Sequence, residues 1–157
     1  MCGSVKAMDL RDLCATAASR PLNEDERTTF NSLITGVDRT LGTRYVHISA
    51  QEVSLELEIT PKVLQPWGIV HGGVYAALAE SAASVGSLVA TGARRGVAGI
   101  SNSTDFIASA SHGTIRATAR PVHTGRTLHL WEVSCECEGR ILARSTVRCI
   151  VLSPRMD

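Results

Sequence analysis

A long stretch with a single charged residue constrains this fold more than any other feature of the chain. From Trp67 to Ala93 the sequence reads WGIVHGGVYAALAESAASVGSLVATGA, and Glu80 is its only Asp, Glu, Lys or Arg. The stretch predicts a helix over about residues 72–91 that has no charged face, so protein must cover it on all sides. A lone carboxylate on such a helix is costly unless it is paired or does chemistry. Glu80 is therefore the first candidate for a catalytic group, and a structural carboxylate bonded to backbone is the alternative.

The composition of the chain argues against several classes of function. Its 157 residues are enough for one domain with a proper core. The 16 Lys and Arg nearly balance the 15 Asp and Glu, so no bulk attraction to nucleic acid or to a membrane follows. The N-terminus lacks the apolar core of a signal peptide, and the apolar run at 69–91 is rich in Ala and Gly, which favours a buried helix over a membrane span. We expect a cytoplasmic protein that binds no nucleic acid and does not insert into membranes.

The cysteine pattern favours neither a disulfide framework nor a metal site. The number is odd, no two cysteines have CxxC spacing, and no histidine lies at ligand spacing. Reduced thiols that pack as small apolar groups are expected instead. The five residues are Cys2, Cys14, Cys135, Cys137 and Cys149.

Hydrophobic periodicity outlines the remaining elements and predicts an α+β fold. Residues 1–20 are predicted to be a flexible N-terminal arm, with a short helix around 8–18 as an option, and residues 21–153 the folded domain. After Pro21, with Asn23 as N-cap, the spacing of apolar residues predicts an amphipathic helix. Period-two alternation predicts two strands within 41–60 before the long helix, and four strands after it, at 97–108, 113–122, 126–138 and 140–152. An antiparallel sheet with one helix laid on it accommodates this order.

Two motifs together resemble one family of enzymes. The first is QPWGIVHGG at residues 65–73, followed by LAES at 78–81 and by Ser84; the second is PVHTGR at 121–126, followed by LWEV at 130–133. An HGG motif, an acid eight residues after its first glycine and a downstream HxGR strand make a specific combination. Over roughly residues 40–152 the chain resembles the hotdog-fold acyl-CoA thioesterases of the phenylacetyl-CoA, 4-hydroxybenzoyl-CoA and 1,4-dihydroxy-2-naphthoyl-CoA type.

The resemblance implies a hotdog fold, in which an antiparallel sheet wraps around one long central helix, and it implies hydrolysis of an acyl-CoA thioester. It implies that Glu80 is the catalytic carboxylate and that the Gly72 N–H polarises the thioester carbonyl. Polar groups that line this carbonyl match Gln65 and His71, and a hydroxyl one turn beyond the acid matches Ser84. Coenzyme A enters as part of the substrate, and no separate cofactor is expected.

One stretch departs from the family pattern. Many members carry Asn-His-x-Arg after the position of Gly99, where it helps to hold the coenzyme A nucleotide, but this chain has Asp-Phe-Ile-Ala at 105–108. The candidates for binding the nucleotide are therefore the residues of the second motif, His123, Gly125 and Arg126.

Elementary physics supports the same roles. Free N–H groups at a helix N-terminus form a ready site for an oxyanion, and the helix dipole reinforces it. Glu80 and Ser84 share a helix face because they are i and i+4. Gly72 and Glu80 lie ~12 Å apart along one helix, so they cannot both touch one carbonyl. An antiparallel pairing of two copies would bring Gly72 of one chain to Glu80 of the other.

The family builds its sites in this way, and a dimer or a tetramer is expected. The alanines at 76, 79 and 83 are consistent with close pairing of two helices.

Each site residue also has a structural interpretation. His71 could cap the helix, Ser84 could be a small packing residue, Gln65 an ordinary loop residue and Arg126 a plain turn arginine. For the whole chain the alternative function is a non-catalytic hotdog module that binds or senses acyl-CoA, but such a module does not need the acid at Glu80. A hotdog hydratase would pair a helix Asp with a nearby His, and no His follows the acid on this helix.

Overall fold

The computed structural model describes residues 8–153, and within them lie four α-helices and six β-strands. A 3-10 turn at Pro61–Val63 precedes the longest helix. The helices are α1 (Leu10–Ala17), α2 (Glu24–Leu33), α3 (Gly36–Leu41) and α4 (Gly72–Ala90). The strands are β1 (Arg44–Ile48), β2 (Val53–Glu58), β3 (Val97–Phe106), β4 (Thr114–Thr124), β5 (Leu128–Cys137) and β6 (Arg140–Val151).

The six strands form one antiparallel sheet in the order β1-β2-β4-β5-β6-β3. Helix α4 lies across one face of this sheet and packs against five of its strands, β2 to β6. The predicted α+β hotdog fold is thereby confirmed. Among residues 8–153, the strand that follows α4 in sequence, β3, pairs only with β6 and forms one edge of the sheet, while β1 forms the other.

Helix α4 buries its small residues against the sheet. Ala79, Ala82 and Ala83 are fully buried, and a Cβ at Gly86 would lie 2.6 Å from the ring of Trp131 on β5. The expectation that the alanine side of the helix faces a second helix is therefore wrong for Ala79 and Ala83. The sheet supplies the bulky side chains of the core, so the helix that lies on it needs small ones.

The N-terminal segment is part of the folded domain from helix α1 onward. Leu13, Cys14 and Ala17 of α1 are at most 1% exposed, and the helix packs against α2 and α4. The assignment of residues 1–20 to a flexible arm is thus wrong for residues 10–17, where the short helix that the sequence offered as an option around 8–18 forms instead; residues 1–7 lie outside the described residues. Asp9 and Asp12 form a capping box at the start of α1, which satisfies N–H groups that the first turn leaves free.

Helix α4 is long and apolar enough to cross a bilayer, with a mean hydropathy of 1.3 over its apolar window. Core helices of globular proteins share this property. Half of the window is buried inside the protein, which accounts for its apolar character through packing on the sheet.

Candidate active site

The loop before α4 is fixed by backbone hydrogen bonds, and this determines where the helix begins. The Gln65 N–H donates to the Ile69 carbonyl at 2.8 Å, the Val70 N–H to the Ala110 carbonyl at 2.9 Å, and the His71 N–H to the Val63 carbonyl at 3.0 Å. Bonds to two separate segments leave the loop little freedom. The first residues of α4 are consequently presented in one orientation.

His71 is the N-cap of α4. Its Nδ1 accepts a hydrogen bond from the Gly73 N–H at 2.9 Å, which is the helix-capping interpretation of this residue. The Gly72 N–H makes no hydrogen bond to any residue within 8–153. It therefore remains available to an acceptor at a helix start, where the dipole favours negative charge.

A cavity of about 620 Å³ opens at this end of the helix. Its lining includes Gln65, His71, Gly72, Tyr75 and Phe106. The Phe106 ring lies over Gly72, where an added Cβ would stand 2.8 Å from the ring's Cζ. Glycine at this position thus lets an aromatic ring, or a substrate, approach the backbone closely.

Glu80 lies two turns further along α4, on the side that faces strand β3. Its Oε2 accepts a hydrogen bond from Asn102 Nδ2 at 3.2 Å, and its Oε1 lies against the backbone of Gly99. Glu80 forms no ion pair with any residue between 8 and 153. The half-buried carboxylate therefore has no cationic partner within these residues and has acceptor capacity to spare.

Ser84 and Cys149 lie beside the carboxylate. Burial raises the pKa of the Cys149 thiol, the Ser87 hydroxyl opposes the rise, and the nearby Glu80 carboxylate adds to it. The thiol is fully buried and stays protonated at neutral pH, so it does not compete with Glu80 as a nucleophile. Ser84 is half-buried, one turn beyond Glu80 on the same face.

The residues of the second motif lie at the opposite end of α4 from Gly72. His123 is near the end of β4, and Gly125 and Arg126 lie in the turn between β4 and β5. The turn is tied to the segment after α4, because Arg95 Nη1 donates to the Arg126 carbonyl at 2.9 Å. The Arg126 side chain itself is exposed. One chain therefore brings Gln65, His71 and Gly72 together, but separates them from Glu80 and from this turn.

Three residues that contact the site were not predicted from the sequence as site residues. Gly99 and Asn102 contact Glu80, and Phe106 covers Gly72. All three belong to β3, and nothing in the local sequence indicates which residues of a strand meet a helix some twenty residues earlier. A motif search finds residues on α4 because they are spaced along one element.

The sequence model of the thioesterase superfamily matches residues 68–143 of this chain. This range contains Gly72, Glu80 and the whole of the second motif.

Individual proteins are similar over a comparable range. A protein of Mycobacterium tuberculosis named as an esterase is 39% identical over 115 residues, which cover 71% of this chain and 82% of that protein. The 1,4-dihydroxy-2-naphthoyl-CoA hydrolase of Listeria monocytogenes is 36% identical over 98 residues, which cover 62% of this chain and 80% of that enzyme. The solved structure of the M. tuberculosis protein matches with a TM-score of 0.73 at 38% identity and covers 75% of this chain and 97% of its own.

Proposed function

The chain belongs to the thioesterase superfamily and is a thioester hydrolase, and we propose that its substrates are acyl-CoA thioesters. In this proposal Glu80 is the nucleophile or general base and the Gly72 N–H is the oxyanion donor. The observation that carries it is the combination, on one helix, of a carboxylate that has no cationic partner within residues 8–153 with an N–H at the helix start that has no acceptor among the same residues. The cavity beside Gly72 provides a place for the acyl group.

Both groups act where charge develops during thioester cleavage. The Gly72 N–H donates to the carbonyl oxygen, which becomes an oxyanion when the carbonyl carbon is attacked. If Glu80 attacks, its oxygen bonds to that carbon, the carbon–sulfur bond breaks, and water then hydrolyses the anhydride. If Glu80 is a base, it takes a proton from water, which attacks the same carbon. In either route the coenzyme A thiolate leaves and takes up a proton. Ser84, one turn beyond Glu80 on the same face of the helix, would orient the carboxylate or the water.

The proposal requires two chains for each site. Gly72 and Glu80 lie ~12 Å apart along α4, too far to act on one carbonyl. Within the part of the chain that the structure describes, strand β3 is an edge of the sheet, and eight of its ten residues are exposed. A long exposed edge is a template for pairing with a further strand. We infer that two copies pair here with their helices antiparallel, and that dimers assemble into a tetramer.

The same arrangement gives the second motif a role. In an antiparallel pair the turn carrying Gly125 and Arg126 lies toward the N-terminal end of the other chain's helix, where the thioester would enter. Arg126 then supplies a positive charge for a coenzyme A phosphate, with His123 beside it. The four cysteines within residues 8–153 are free and buried, which fits a reducing compartment such as the cytoplasm.

The experiment is a screen of thiol release from a panel of aryl- and alkyl-CoA thioesters, with wild type and Glu80→Gln compared on the best substrate. The amide keeps the shape of the side chain and removes its charge, so we expect turnover to fall by ~100-fold or more. Glu58→Gln, at an exposed end of β2, is the matched control and should keep its rate.

Two results would contradict the proposal. A folded Glu80→Gln protein that releases thiol at the wild-type rate would remove the carboxylate from the mechanism. Tight binding of acyl-CoA with no thiol release from any member of the panel would indicate the non-catalytic binding module instead.

A further inference from the structure

We propose that Asn102 is a positioning residue for Glu80, an inference that rests on the proposed role of this carboxylate. From strand β3, the side-chain amide of Asn102 donates two hydrogen bonds to helix α4. Its Nδ2 donates to the Ala76 carbonyl at 3.0 Å and to Glu80 Oε2 at 3.2 Å. One amide group thus anchors the helix backbone and the carboxylate one turn further on.

The orientation of the Asn102 amide is set by a chain of hydroxyl groups. Thr104 Oγ1 donates to Asn102 Oδ1 at 2.8 Å, and Thr104 Oγ1 also lies 2.8 Å from Ser145 Oγ on β6. Because the single Thr104 hydroxyl proton goes to Asn102, Ser145 must donate to Thr104. The opposite amide orientation would set Oδ1 against a carbonyl and a carboxylate, so the NH₂ group is held toward Glu80.

A bulge in β3 allows both Gly99 and Asn102 to face the Glu80 carboxylate. The register of β3 against β6 shifts between Gly99 and Ser101. In a regular strand, residues three apart point to opposite faces, so without this shift Gly99 and Asn102 could not both face α4. Bulges commonly redirect side chains beside active sites.

Gly99 forms the other wall of this position. A Cβ at Gly99 would overlap Glu80 Oε1, so only glycine leaves room for the carboxylate where it lies. Oε2 is held by the Asn102 amide, and Oε1 is not hydrogen-bonded to any residue within 8–153. The arrangement leaves Oε1 as the oxygen that can meet a carbonyl carbon or a water molecule.

The exposed location of the hydrogen bond between Asn102 and Glu80 links this bond to the assembly of two chains. Asn102 is exposed in a single chain, where water weakens a hydrogen bond. Pairing of β3 with a second copy would exclude water from the bond and strengthen it. The carboxylate would then be fixed when the second chain brings its Gly72.

The test compares Asn102→Ala with Ser103→Ala, the exposed next residue of β3. Loss of the amide leaves the Glu80 carboxylate free to move, and a misplacement of about 1 Å can cost as much as ~100-fold in rate. We expect kcat to fall between about tenfold and ~100-fold with KM little changed, while Ser103→Ala keeps both constants. Thr104→Val removes only the group that orients the amide and should lower kcat less, in the same direction.

A pH profile separates positioning from simple structural support. Asn102→Asp places a second carboxylate beside Glu80, and neighbouring carboxylates disfavour each other's ionised form. The acid limb of its kcat profile should therefore move to higher pH. Among residues 8–153, the other titratable group beside Glu80 is the Cys149 thiol of β6, which burial keeps neutral, so it contributes no competing charge.

Wild-type kcat in both Asn102→Ala and Thr104→Val would overturn the inference. A rise in KM alone in Asn102→Ala would also overturn it, because it would mean that Asn102 contacts the substrate. The double variant Glu80→Gln, Asn102→Ala should be no slower than Glu80→Gln, because the amide acts through the carboxylate. An additive loss would also overturn it. Failure of the proposed function has a different signature, since Glu80→Gln alone would then retain activity.

Discussion

The two edge strands of the sheet, β1 and β3, differ in whether another segment of residues 8–153 hydrogen-bonds to their outer side. At the closed edge, formed by β1, the Asn31 side chain of α2 donates to the Tyr45 carbonyl at 2.9 Å and accepts from the Tyr45 N–H at 2.7 Å. The Asn31 amide thereby makes the two hydrogen bonds to Tyr45 that the backbone of a neighbouring strand would make. At the open edge, formed by β3, no segment of residues 8–153 takes this place.

The two sides of α4 follow the same division. Ser81 faces the closed side, where its hydroxyl donates to Asp38 at 2.6 Å and Asp38 accepts from the Tyr45 hydroxyl at 3.0 Å. Glu80, the preceding residue, faces the open edge. The polar side chains of Ser81 and Asp38 on the closed side are thus satisfied within the chain and stabilise the fold. Those on the open side keep unused capacity for a substrate or a second chain.

The largest effect is expected for Gly72→Pro, which deletes the N–H proposed as oxyanion donor on the open side. Loss of one such donor typically costs about 10²–10³ in kcat, with a smaller change in KM. Gly72→Ala is the matched control, because it retains the N–H and requires only that the exposed Phe106 ring shift. Steady-state kinetics on proteins that circular dichroism shows to be folded would decide. Equal kcat values for the two variants would exclude the N–H from catalysis.

A mixture of two inactive chains tests whether the open edge is where copies meet. Co-expression of Glu80→Ala with Gly72→Pro should give mixed dimers that carry one intact site and one doubly damaged site. With random pairing, roughly a quarter of wild-type activity should return, because half of the dimers are mixed and each has one good site. Native mass spectrometry would confirm that mixed dimers form. If they form and activity stays at the level of the parents, each site lies within one chain.

The smallest effect is expected at the closed edge. Asn31→Ala removes both bonds to Tyr45 and leaves a strand N–H and carbonyl without partners, which should lower the free energy of unfolding by about 1–3 kcal/mol. Urea denaturation would measure this loss, with Ser32→Ala, an exposed neighbour, as control. The kcat of the folded protein should stay unchanged. An unaltered unfolding free energy, or a fall in kcat, would contradict the division between a structural and a functional edge.

Much of this fold could be predicted because its signals are local. Asn23 starts α2 as its N-cap, the alternation at Val53–Glu58 gives a strand, and α4 spans nearly the predicted residues. The loop and helix cap around Gly72, and the four-residue spacing of Glu80 and Ser84, likewise follow from positions along one segment.

Helix α1 was predicted from the sequence only as an option, around residues 8–18, and its packing into the domain was not predicted. Its buried Leu13, Cys14 and Ala17 recur at helical spacing. A stripe of three apolar residues, however, does not show whether the helix packs against the core of the domain. Only packing against α4 makes this helix part of the domain, since most helical stability in proteins comes from tertiary contacts.

By itself the sequence determined the helix, the lone carboxylate on it and the glycine at its start, because these depend on spacing within one element. The tertiary structure decided that Ala79 and Ala83 face the sheet rather than a second helix, since a pattern of small residues does not say which neighbour covers it. It also decided that Gly99 and Asn102 meet Glu80. That contact depends on β3 pairing with β6, the last strand of the chain, and on one bulge in their register, which are relations between distant segments that no local pattern encodes.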